Sequence, residues 1–85
     1  MHIYFFNDKD YWEIGIKDED WYIRRQAYRY FNDKTHWNIA INDELNYNRL
    51  EAYYYFNDKR HWELALKDKY EDIRIKAKQW LDNHK

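Results

Sequence analysis

FNDKTHWNIAIND, residues 31–43, is written three times in this chain, with variants FNDKDYWEIGIKD beginning at Phe6 and FNDKRHWELALKD beginning at Phe56. The three starts lie twenty-five residues apart, and the register holds well beyond the motif. Trp12, Trp37 and Trp62 recur at that period, as do Asp18, Asp43 and Asp68; Arg24, Arg49 and Arg74; and Ala27, Ala52 and Ala77. A fixed period of this order marks a stacked-repeat protein, in which each unit is too small to bury its apolar face alone. The repeats run 7–31, 32–56 and 57–81 in one domain spanning 1–85, with 1–6 as a partial N-terminal cap and 82–85 as a tail.

Each repeat opens with Asn-Asp-Lys. Asp is a good N-cap because its carboxylate accepts a backbone N–H left over in the first helical turn. Asp8, Asp33 and Asp58 are therefore the expected caps. Asn tolerates the left-handed conformation that ends many helices, so Asn7, Asn32 and Asn57 are expected to stop the preceding helix. The first helices are predicted at roughly 9–17, 34–42 and 59–67, the second at roughly 20–31, 45–56 and 70–82. Trp37, Ala40 and Ile41 share a helical face, whereas Ile39 lies off it, half exposed or packed on a neighbouring repeat. Alternation at Trp37, Ile39 and Ile41 also fits a strand, but no hairpin turn chemistry accompanies it, so helix is preferred. Ile23, Ala27, Tyr30 and Phe31 form the buried stripe of the first copy, and Ile73, Ala77, Trp80 and Leu81 that of the third. Asn48 interrupts the middle copy and is expected to be half exposed or to need a partner.

Composition agrees with short helices. Proline is absent, glycine occurs once, and 22% of residues are aromatic, which lets a small chain build an efficient core. Fifteen basic residues balance sixteen acidic ones, so whole-chain charge draws it to neither nucleic acid nor anionic membrane. Without cysteine there are no disulfides or thiolate metal sites. No apolar run is long enough to span a membrane and no secretory signal opens the chain, so a cytoplasmic location is expected.

Ala65, Leu66, Asp68, Ile73, Arg74, Ala77 and Leu81 stand at spacings that resemble the HEAT repeat, in the short form of phycobilisome lyase-type proteins. Gly15, Ile16, Asp18, Ile23, Arg24, Ala27 and Phe31 follow the same pattern, as do Ala40, Ile41, Asp43, Arg49, Ala52 and Phe56, with Asn48 departing from it. The resemblance covers 7–81; the repeat is shorter than is usual and aromatics replace many leucines and alanines. It implies an all-α fold, a right-handed α-α superhelix or solenoid of three helix-hairpin repeats and about six short helices. It also implies a structural ladder in which Arg24, Arg49 and Arg74 meet Asp18, Asp43 or Asp68 of their own or the adjacent repeat. A guanidinium fork suits that task, since it can hold a carboxylate and turn carbonyls together.

The ladder reading outweighs a catalytic carboxylate array, because all three copies carry the pair and a catalytic site need occur once. His36 and His61 are read as polar tips near the starts of first helices rather than as zinc ligands. Trp12, Trp37 and Trp62 are read as core rather than a stacking platform, and Trp21 as partly exposed. The candidate partner-binding residues are Tyr22, Arg25, Tyr28, Arg29, Tyr47, Tyr53 and Tyr54, on or beside the outer face of the second helices. HEAT-like stacks use that face as their concave side, and Tyr and Arg are enriched at binding hot spots. A protein partner is expected there, with Tyr28, Tyr53 and Tyr54 as anchors. Nucleic acid is the disfavoured alternative, resting on Arg24, Arg25, Arg29 and Tyr28. A third reading is a homo-oligomer through the open repeat ends, where Trp80 and Leu81 lack a following repeat. No catalytic residue, cofactor or metal is expected.

Overall fold

A computed structural model describes residues 8–85; the expectations for Asn7 and for the cap at 1–6 lie outside them. The described residues form six helices and no strand: α1 (Asp8–Gly15), α2 (Trp21–Phe31), α3 (Lys34–Ala40), α4 (Asn46–Phe56), α5 (Lys59–Ala65) and α6 (Glu71–Asn83). The chain divides into two compact units, one ending at Trp37 and the other beginning at Asn38. The first holds α1 packed on α2; in the second, α5 packs on both α4 and α6.

Each junction follows from its asparagine and aspartate. Asn32 and Asn57 adopt the left-handed conformation, with φ of 47° and 48°. Their N–H groups donate 2.8 Å bonds to Tyr28 O and Tyr53 O, closing α2 and α4. One residue later, the carboxylates of Asp33 and Asp58 each accept a 2.8 Å bond from the backbone N–H of His36 and His61. This caps α3 and α5. Asp8 is itself the first residue of α1.

The first helices stop two residues earlier than the sequence pattern suggests. Lys17, Asn42 and Lys67 donate to the carbonyls of Ile14, Ile39 and Leu64, and the following aspartates donate to Gly15, Ala40 and Ala65. These three-residue spacings tighten the last turn and turn the chain toward the second helix. At the other end, α6 continues to Asn83, into the segment read as a tail.

Tyr53, Trp62, Ala65, Ile73 and Ala77 form the core of the second unit, flanked by Ile41, Leu50, Trp80 and Leu81. Trp37 is buried as well, while Trp12 is half-buried. The alanines at 27, 40, 52, 65 and 77 are fully buried, and Gly15 occupies the place of Ala40 and Ala65. One expectation needs correction. Tyr30 is 44% exposed rather than part of a buried stripe, with its ring stacked on that of half-buried Trp12 at a centroid distance of 5.9 Å. Of the two alternatives for Asn48 the second holds: it is wholly buried, and neither of its side-chain polar atoms lacks a hydrogen-bond partner, so its burial carries no desolvation penalty of the unpaired kind. Ile39 is exposed, as its off-face position allows. No helix among the described residues is long and apolar enough to cross a membrane.

Candidate functional site

The recurring aspartate and arginine build one local device three times. Asp18, Asp43 and Asp68 each accept a bond from the N–H two residues on, at Asp20, Leu45 and Tyr70. That Asx turn leads into the second helix. It does the work of a cap before α4 and α6, where Leu45 and Tyr70 cannot cap; before α2, Asp20 adds a cap of its own to Tyr22 N–H. Arg24, Arg49 and Arg74 then reach back along the helix. Their Nη1 atoms donate to the carbonyls of Asp18, Asp43 and Asp68, and the first two also to Glu19 and Glu44. Within its own repeat, therefore, the arginine holds the aspartate's backbone rather than its carboxylate.

Arg49 does more. Its Nε and Nη2 donate to Asp68 Oδ2 and Oδ1, both at 2.9 Å, a two-pronged ion pair buried between α4 and the α5–α6 turn. Tyr53 O–H donates to the same carboxylate at 3.2 Å. Burial alone would raise the Asp68 pKa, but the Arg49 bonds, the Tyr70 N–H and the Arg49 charge outweigh it and hold it below the usual range. The bond to Asp68 raises the Arg49 pKa against the effect of burial. The Tyr53 phenol is pushed up to about 12 by burial first and by the Asp68 charge second.

A second device escapes simple spacing rules. His36 and His61 stack flat on Phe31 and Phe56, with ring centroids 3.8 and 3.9 Å apart. Their Nδ1 atoms donate to Asp33 and Asp58 at 2.7 and 2.6 Å. The His36 backbone N–H, then its ring, keep the Asp33 carboxyl low despite burial. For Asp58, burial pushes upward, but the His61 N–H, its ring and Arg60 prevail and the pKa falls. The imidazoles thus clamp the helix-to-helix junctions. The signal was present as Phe-Asn-Asp-x-x-His in two copies, with Tyr11 in the first. Among the described residues no three His, Cys, Asp or Glu side chains come together as a metal site.

The predicted partner-binding residues separate into two groups. Tyr28 and Tyr53 are 2% and 4% exposed, and so are corrected from surface anchors to core. Each packs its ring on the indole of the next tryptophan, Trp37 or Trp62, at centroid distances of 5.7 and 5.9 Å. Tyr22, Tyr47 and Tyr54 are 51%, 56% and 51% exposed. Tyr54 still sets its ring edge-on to Trp62, and Tyr22 sets its ring against exposed Trp21. Arg25 lies over the Trp21 ring, 4.9 Å from its centroid, and Arg29 is exposed.

No protein-family model, curated protein or solved structure matches the chain.

Proposed function

We propose that this chain is a non-catalytic, HEAT-like protein-interaction module of the cytoplasm. In this reading the three helix pairs stack as a right-handed solenoid. The second helices present Tyr22, Arg25, Arg29, Tyr47 and Tyr54 on its concave side to a protein partner. The observation that carries the reading is the pair Tyr22 and Tyr47. They stand at one repeat position, are more than half exposed, and spend no side-chain hydrogen bond on the fold among the described residues. An amphipathic ring with a free hydroxyl is a low-entropy binding group, and such residues dominate interface energetics. A nucleic-acid role has less support. Arg24 commits its Nη1 to two turn carbonyls, and the chain has no excess of positive charge.

The test is affinity capture from the source cell with wild type and with Tyr22→Ala/Tyr47→Ala. The partner is expected on wild type and absent from the variant, while Tm stays within about 3 °C, as befits two surface substitutions. Equal capture by both proteins would overturn the reading.

A further inference from the structure

The second unit contains one complete interface between helix pairs. Arg49 forks Asp68, Tyr53 bonds the same carboxylate, and Ile41 and Leu50 lie against the cluster containing Trp62 and Ile73. Twenty-five residues on, the places of Arg49, Tyr53, Ile41 and Leu50 are taken by Arg74, Lys78, Leu66 and Ile75. Leu66 and Ile75 are 40% and 48% exposed. Arg74 bonds the Asp68 carbonyl, but its guanidinium meets no carboxylate among the described residues, and Lys78 is exposed. This is one half of the same interface, displayed outward.

The matching half stands in the first unit. The places of Asp68, Trp62 and Ile73 are there occupied by Asp18, Trp12 and Ile23. Asp18 is exposed and accepts the Asp20 N–H, with no cation on its carboxylate among the described residues. Trp12 and Ile23 are half-buried, whereas Trp62 and Ile73 are sealed. Glu19 and Asp20 follow Asp18 in the chain, and Lys78 stands one helical turn after Arg74.

We propose that the chain associates head to tail with a second copy of itself. Arg74 of one copy forks onto Asp18 of the next, and Leu66 and Ile75 cover Trp12 and Ile23, as Arg49, Ile41 and Leu50 do inside the second unit. Lys78 replaces the Tyr53 hydroxyl with an ammonium that reaches the same carboxylate. Each copy has one donor surface and one acceptor surface, so the contact is heterologous, and copies add on until a ring closes or a filament grows. The proposal uses the repeat ends and does not depend on the tyrosine surface.

Sedimentation velocity on the full chain, from micromolar to millimolar concentration, tests it. Wild type is expected to gain mass as concentration rises. Asp18→Arg blocks one end and Arg74→Asp the other, so each variant alone should be monomeric. Their equimolar mixture should associate again, because the intact donor of one variant meets the intact acceptor of the other, and the two reversed ends are opposite in charge. Should either variant lose its helical circular dichroism, Ile75→Glu gives the decision, since that exposed side chain is outside the turn network. It should weaken association about tenfold or more at unchanged Tm. A monomeric wild type, a mixture that stays monomeric when both variants are folded, or association indifferent to Ile75→Glu would overturn the proposal.

Discussion

Arg49 and Arg74 sit at the same place in successive repeats and make the same backward bond to an aspartate carbonyl, at 2.9 and 2.7 Å. Arg49 also grips a carboxylate and is buried; Arg74 is half-exposed. Trp62 and Trp12 differ in the same way, one 1% exposed and the other half-buried. Residues within a repeat thus fix its turn, and a packed neighbour adds burial and charge pairing on top. The difference is largest at the indoles. Trp62→Ala should cost about 3–5 kcal/mol, the range for emptying a sealed aromatic site, and Trp12→Ala distinctly less. Urea denaturation of both variants measures this. Equal losses would mean that Trp12 contributes as much from its half-open site as Trp62 does from the core.

The arginines give the next largest contrast. Arg49→Met leaves Asp68 in a buried place with its main partner gone, at a cost of about 3 kcal/mol. Arg74→Met removes one bond to a carbonyl and should cost about 1 kcal/mol. Acid titration sharpens the same point. The folded Asp68 pKa lies below its unfolded value, so its contribution is present above about pH 4 and is lost as pH falls through the folded value. Wild type should therefore lose stability in acid more steeply than Asp68→Asn, followed by the urea midpoint between neutral and acid pH.

That division also explains what could be read from the sequence. The helices, the asparagine stops and the aspartate caps at 33 and 58 are set by residues next to one another in the chain, so spacing reveals them. The pairing of Arg49 with Asp68 needs knowledge of which helices meet, and a period alone leaves own-repeat and next-repeat partners open. Tyr28 and Tyr53 misled for a related reason. Their hydroxyls and flanking polar residues suggest an outer face, but a phenol long enough to reach a carboxylate can lie in the core with its O–H paired, as Tyr53 does. Asn48 follows the same rule, a polar residue made compatible with the interior by its partners.

Tyr53 gives a third contrast, with Lys78 at the equivalent exposed place. An unfolded tyrosine ionises near pH 10, whereas in the fold the Tyr53 phenol is pushed up to about 12. Its neutral form is therefore favoured by folding. The stabilisation is complete below about pH 10 and disappears as pH rises through the folded value. Alkaline melting should show wild type losing on the order of 2 kcal/mol more than Tyr53→Phe between pH 9 and the upper end of that window. Identical alkaline profiles would place the phenol in contact with water and detach it from the Arg49–Asp68 pair.

The smallest effect lies at the two asparagine stops, one in each unit. Asn32 and Asn57 have nearly the same backbone angles, and their Oδ1 atoms accept the indole N–H of Trp37 and Trp62 at 2.9 and 3.1 Å. Replacement by Gly keeps the left-handed backbone inexpensive and removes the indole bond, for about 1 kcal/mol. Replacement by Ala adds the cost of a Cβ in that conformation, about 1 kcal/mol more. If the junctions are as local as their bonds indicate, the Ala–Gly gap should be the same at 32 and 57. A gap clearly larger at Asn57 would mean that the packed core of the second unit bears on the backbone of its junction, and that turn and packing are coupled after all.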